Sequence, residues 1–288
     1  GDYPEKDYTS VADGDMLLVP DPSTLRPIPW AKEPTAQVIH DCRRFDGSET
    51  PLSPRNVLRR ILRLYEAEGW APVIAPEMEF YLVQVEPDED IPLKPPMGRT
   101  RRTEAGMQSF SIDAVNEYDD IFDVMYDWCE AQGIQLDTLI HEMGTAQMEI
   151  NLDHGDPLAL ADQAFLFKRT IREVAIRHQM YATFMAKPMQ GQPGSAMHIH
   201  QSVVRMDDGH NIFSRPDGSP SDEFMHFIGG LQTYLPAATA FFAPYVNSYR
   251  RLSRYTSAPI NLQWGFDNRT CGLRVPHSGP EARRAENR

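Results

Sequence analysis

Gly194-Ser-Ala-Met-His198-Ile-His200-Gln-Ser202 is the stretch on which the reading of this chain turns. His198 and His200 stand two residues apart, and at that spacing side chains leave the same face of an extended strand. Both imidazoles can therefore serve one site, and imidazole is the commonest metal ligand. Three further segments supply carboxylates in apolar or strand-like surroundings: Glu77 with Glu79, Glu142 with Glu149, and Glu286. Carboxylates in such places are costly unless paired or bound to an ion.

Working outward, the 288 residues exceed the usual domain of about 100–150, so one large domain with a small appendage, or two domains, is expected. Net charge is −13, from 41 acidic and 28 basic residues. That balance argues against nonspecific binding to nucleic acid, whose phosphates require a basic face. No apolar run approaches the roughly 20 residues that span a bilayer, so no membrane partner is expected. Cys42, Cys129 and Cys271 are widely separated and lack Cys-x-x-Cys spacing, which argues against a disulfide scaffold and a structural zinc site. A cytoplasmic location is the default expectation. The chain opens without Met and stops amid charged residues, and it reads as a portion of a longer polypeptide.

Residues 1–35 end in a short strand, Asp15 to Val19, and a Pro-rich connector, the close of a small domain. Ser53-Pro54 starts a helix whose Val57, Leu58, Ile61, Leu62 and Tyr65 share one face and whose Arg55, Arg59, Arg60 and Arg63 form a solvated one. Val73 to Val85 is a strand with Glu77 and Glu79 on one face, and residues 87–107 form a long loop. Helices are expected over residues 117–132, from Asp156-Pro157 to about Tyr181, and from Ser221 onward. Ile134 to Ile140 is a strand. Beyond it, the odd separation of Glu142 and Glu149 places them on opposite faces of one regular strand, so Gly144 is expected to mark a bend or bulge. The alternation lacks βαβ regularity, which favours an α+β fold with an antiparallel sheet.

Five glutamates with one or two imidazoles and no thiolate suit two hard divalent cations, Mg²⁺ or Mn²⁺, which can clamp phosphoryl oxygens. The bland alternative is that each Glu pairs with an Arg on a wet surface. Asn247-Ser-Tyr-Arg-Arg251 and Trp264 to Pro276, with Arg269 and Arg274, set guanidinium forks beside Asn, Gly and aromatics, a grip for carboxylate and phosphate. Neither a Gly-x-x-x-x-Gly-Lys-Ser/Thr nor a Gly-x-Gly-x-x-Gly is present, so a nucleotide would be held in another way.

Pro76-Glu77-Met-Glu79-Phe, Glu142 through Gln147-Met-Glu149, Gly194 through His200, Asn247 through Arg251, Asn268-Arg269 with Arg274, and Arg283-Arg-Ala-Glu286-Asn-Arg288 resemble, in order, the signatures of the glutamine synthetase family. Lys187-Pro-Met-Gln-Gly, Tyr255-Thr256 and Asn261 through Thr270 look closest to its γ-glutamylpolyamine synthetase branch. The resemblance implies a glutamine synthetase-like catalytic domain over 36–288, its C-terminal part missing, with a curved antiparallel sheet flanked by helices. Residues 1–35 would be the remnant of an N-terminal β-grasp domain. It implies ATP and two or more Mg²⁺ or Mn²⁺ ions, with glutamate and a small amine such as putrescine as substrates. It also implies a homo-oligomeric ring, commonly a dodecamer, with sites between subunits.

Carried over by motif, Glu79, Glu142 and Glu149 would hold one cation and Glu77, His198 and Glu286 the other. His200, Ser202, Arg274 and Arg284 would meet the nucleotide. Gly194, Arg251 and Arg288 would contact glutamate, with Arg269 and Arg251 as catalytic residues and Trp264 in an amine pocket or in the core. Ser257 stands where ammonia-using members carry a Glu, which argues against ammonia as nucleophile; Pro193 replaces the usual Asn, and Asp2 is a weak match for the ammonium-pocket Asp. The rival readings are a glutamine synthetase with an unusual base and a catalytically silent binding or regulatory member.

Overall fold

In a computed structural model, residues 14–86, 88, 90–254 and 258–288 are described. The chain opens with β1 (Leu17–Pro20), β2 (Arg26–Pro27), β3 (Ala36–Gln37) and β4 (His40–Arg43), then α1 (Pro54–Ala67). β1 pairs β4 and β2 pairs β3, so both small sheets join chain on either side of residue 35. The centre of the fold is β5 (Trp70–Gln84), followed by α2 (Ile112–Asn116), α3 (Asp119–Ala131), β6 (Leu136–His141), β7 (Gln147–Leu152) and α4 (Pro157–Arg177). Then come β8 (Met180–Thr183), β9 (Met197–Arg205), α5 (Asp222–Phe242), α6 (Val246–Arg251), β10 (Trp264–Phe266), β11 (Leu273–Val275) and β12 (Ala285–Asn287).

Eight strands make one open sheet in the order β10-β11-β12-β9-β5-β7-β6, with β8 paired to the C-terminal end of β5. Every pairing is antiparallel except β10 with β11. The α+β expectation therefore holds, with one parallel pair added.

Period-two alternation sorts this sheet into a back and a front. On the back, Met78, Phe80 and Leu82 of β5 and Met148, Ile150 and Leu152 of β7 pack with Ile121 and Met125 of α3 and Phe167, Ile171 and Val174 of α4. A second cluster sets Phe224 and Ile228 of α5 on Val203, Leu273, Val275 and Ala285. Burying each such large side chain contributes about 1.5–3 kcal/mol. The residues between them in sequence, Glu77, Glu79, Gln147, Glu149, His198, His200, Arg274 and Glu286, are thereby forced to the front.

Three local expectations are corrected. Arg55 and Arg59 are not a solvated face: Arg55 bonds Asp21 and Asp162, both at 2.8 Å, and also Asp41, while Arg59 meets Asp41 at 2.7 Å. This inward network turns α1, so that Val57 and Ile61 are exposed while Leu58, Leu62 and Tyr65 stay half-buried. The helix expected over 117–132 is α3, with the short α2 added before it and the Glu117 carboxylate between them accepting from Thr100 N and Oγ. α4 ends at Arg177 and not near Tyr181, because Gln179 takes a left-handed φ of 58° that starts β8, a strand with no sequence signal of its own.

Candidate functional site

Register assembles the site. Glu149 lies opposite Glu79, Glu77 opposite Asn151 on one side and His198 on the other, and Glu286 opposite His200. Four neighbouring strands thus deliver one continuous front-facing row. Glu142 joins it from the end of β6, its amide bonded to Gln147 O at 2.8 Å. The chain reverses between Glu142 and Gln147, so the two glutamates sit on paired strands and not on one bent strand. Gly144 answers a close approach: a Cβ there would stand 2.0 Å from Tyr81 Oη. The left-handed residue of the turn is Ala146, φ 54°.

Charges in the row conflict without a cation. Burial pushes the Glu142 carboxyl up and neighbouring Glu79 adds to it. Burial, with Glu77, Glu142 and Glu79 beside it, pushes Glu149 up to about 8. Glu77 is half-buried, but hydrogen bonds from His198 and His200 outweigh the desolvation and hold it below the usual range. His198 Nδ1 lies 3.0 Å from Glu77 Oε2 and 3.4 Å from Glu286 Oε1, and His200 Nε2 lies 2.5 Å from Glu77 Oε1. Glu77, His200 and Glu286 offer ligand atoms all within 4.8 Å of one another. Arg284 Nε donates to His200 Nδ1 at 3.1 Å, which puts the ring proton on Nε2 toward Glu77. In this arrangement His200 is committed to Arg284 and Glu77, whereas His198 faces carboxylates alone. Mutually repelling carboxylates and imidazoles, with no thiolate among them, fit hard divalent cations.

Between pH 4.5 and about 8 the unfolded chain has released the Glu149 proton and the folded protein keeps it. Metal-free stability therefore falls as pH rises across this window, at up to about 1.4 kcal/mol per pH unit. Denaturant unfolding in EDTA at pH 5, 6, 7 and 8 checks this, and Glu149→Gln, which has no proton to hold, should give a flatter profile. Equal slopes in the two proteins reject the assignment.

One end of the row meets cationic and loop elements. Gln147 Nε2 donates to Glu79 Oε2 at 3.1 Å and to Gly194 O at 3.0 Å, and its Oε1 accepts Gly144 N at 2.9 Å. Ala196 N donates to Glu79 Oε2 at 3.0 Å and Tyr81 Oη donates to Pro193 O at 2.8 Å. This fixes the loop before β9 over the carboxylates. Gly194 packs against Arg251: a Cβ there would be 2.6 Å from Arg251 Cγ and from Ala186 O. Burial lowers the Arg251 pKa, with Glu79 opposing and Arg288 adding to the shift, so the three charges share one space. Arg288 Nε is 3.1 Å from Glu286 Oε1 and Arg288 also bonds Arg269 O. Arg269 is exposed, and its charge reaches Glu142.

At the other end, a cleft of about 500 Å³ is lined by Glu77, Asn151, His200, Ser202 and Arg284. Asn151 Oδ1 is buried there without a hydrogen-bond partner. Arg274 lies apart from this cleft's lining, its fork held by Glu286 Oε2 at 2.9 Å and Asp267 Oδ1 at 2.6 Å. Trp264, half-buried, stacks edge-on with Phe266, centroids 5.4 Å apart, and packs against the second core cluster. Ser257, Tyr255, Thr256 and Asp2 lie outside the described residues. Reading the sequence gave no role to Tyr81, Gln147, Glu104 or His141; the Gln two residues before Glu149 shares its face and was the available signal.

Residues 51–288 match the glutamine synthetase catalytic domain. The chain belongs to the glutamine synthetase family. Members similar to it include the γ-glutamylputrescine synthetase PuuA of Escherichia coli K12, 35% identical over 95% of the chain and 58% of that protein. The glutamine synthetase of Pyrococcus horikoshii is 36% identical over 93% of the chain and 57% of its own length. A glutamate–isopropylamine ligase of a Pseudomonas species is 35% identical over 95% and 59%. Among solved structures, a GmaS/ADP complex superposes with a TM-score of 0.82 at 30% identity, covering 97% of the chain and 63% of GmaS. The chain thus spans less than two thirds of these glutamine synthetase relatives. No helix among the described residues is long and apolar enough to cross a membrane.

Proposed function

We propose that this chain carries the catalytic site of an ATP-dependent ligase that joins the side-chain carboxylate of glutamate to an amine, through a γ-glutamyl phosphate. The observation that carries the reading is the cross-strand row from Glu149 to Glu286, with a cleft at one end and the half-buried Arg251 guanidinium at the other. Glu79, Glu142 and Glu149 on one side and Glu77, His198 and Glu286 on the other would hold two divalent cations, which when bound neutralise the oxygens of a transferring phosphoryl group. His200, Ser202 and Arg284 line the cleft and would receive the nucleotide. Arg251 and Arg288, beside Gly194, would orient the glutamate carboxylate by charge-assisted hydrogen bonds. Arg269, whose charge already reaches Glu142, would face the phosphate that departs.

Two of the relatives are ligases of glutamate to an alkylamine or polyamine by name, and one is a glutamine synthetase of nearly equal identity. Ser257 in place of a Glu favours an amine over ammonia. Phosphate release from ATP and glutamate is expected to require a primary amine, with putrescine, isopropylamine and ammonium compared at equal free-base concentration. Turnover with ammonium equal to the best amine overturns the amine reading, and Mg²⁺-dependent nucleotide binding without any turnover would identify a silent member.

A further inference from the structure

Glu104 lies in the long loop before α2, outside every motif that marks the site. Its side chain is nonetheless buried, 7% exposed, and is directed at the carboxylate hairpin. Oε2 accepts the amide of Ala146, the left-handed residue of the turn, at 2.8 Å, and meets His141 Nε2 at 3.0 Å. On its other side His141 Nδ1 donates to Glu142 O at 2.7 Å. The His141 carbonyl in turn receives Phe110 N at 2.9 Å, closing the loop onto the hairpin. Glu104 Oε1 is buried with no partner. An acid placed so contributes nothing to apolar packing, and leaving one buried oxygen unpaired costs about 1–3 kcal/mol.

We propose that Glu104 is a positioning residue for cation binding: through Ala146 N and His141 it fixes the β6–β7 turn, and with it the relative placement of Glu142 and Glu149. The proposal rests on the reading that these two glutamates hold a cation. Ala146 needs an outside restraint because a left-handed backbone is unfavourable for a residue with a Cβ. Glu104 supplies it from 42 residues away, and the His141 bridge passes the restraint to the Glu142 backbone. Partners of this kind behind metal ligands typically account for 10–100-fold in affinity.

Mn²⁺ binding by calorimetry to wild type, Glu104→Ala and Glu104→Gln, with thermal unfolding of each in EDTA, tests this. The Ala variant should bind Mn²⁺ about tenfold more weakly. The Gln variant, whose amide oxygen still accepts Ala146 N–H, should lose about threefold. Folded variants with affinity within twofold of wild type, whatever their thermal shift, overturn the proposal and leave the site reading intact. If the Ala variant does not fold, unchanged affinity in the Gln variant has the same force. A wild-type protein that binds no Mn²⁺ removes the site reading and the proposal together.

Discussion

Glu77→Gln is expected to lower amine-dependent phosphate release by about a thousandfold while leaving the fold intact. Glu77 is the one residue of the row that both imidazoles contact, and its carboxylate is held ionised by them. The amide keeps the volume of the side chain, but only its oxygen can accept a hydrogen bond, the nitrogen being a donor. One histidine is then left facing an N–H donor, and the anionic pole shared with Glu286 is halved. Circular dichroism and thermal unfolding should change little, because the back-face core of Met78 and Phe80 is untouched. Mn²⁺ affinity should fall together with turnover. Turnover within tenfold of wild type would remove Glu77 from the site.

Gly194→Ala should raise the KM for glutamate and lower kcat/KM by about a hundredfold, with about 1–3 kcal/mol lost in stability. The added methyl would meet a backbone carbonyl, Ala186 O, and the stem of Arg251, both at 2.6 Å. The carbonyl cannot yield cheaply, because Ala186 O also receives Ser195 N at 2.9 Å. Strain therefore passes to Arg251 and to the Gly194 carbonyl that Gln147 holds. Gly191→Ala, in the same loop, is the comparison: its φ of +79° strains any side chain, but no atom lies within 4 Å of the added Cβ. A Gly191 variant that loses stability but keeps its glutamate KM, beside a Gly194 variant that loses both, separates contact from loop strain. Equal KM effects in the two would show that Gly194 does not set the glutamate end.

Local pattern was enough for the strand with Glu77 and Glu79 on one face and for the paired histidines on another, since a two-residue period shows which side chains share a side. The same pattern failed between Glu142 and Glu149. There the chain reverses without a Gly or Asn at its left-handed position, and Gly144 answers Tyr81 instead. β8 was missed for a similar reason, because Gln179 rather than a Gly ends α4. The arginines of α1 read as solvent-facing, but Asp21, Asp41 and Asp162, distant in the chain, turn two of them inward.

By itself, then, the sequence determined the residue types of the candidate site, the strands that carry Glu77, Glu79 and the paired histidines, and the α+β class, because each follows from periodicity, burial cost and short motifs. Which histidine bonds which carboxylate, that Glu149 opposes Glu79, and that Glu104 holds the turn were decided only when strands paired and loops closed. Register is a property of two segments at once, fixed by apolar side chains on the far face of the sheet, and no single stretch of chain contains it.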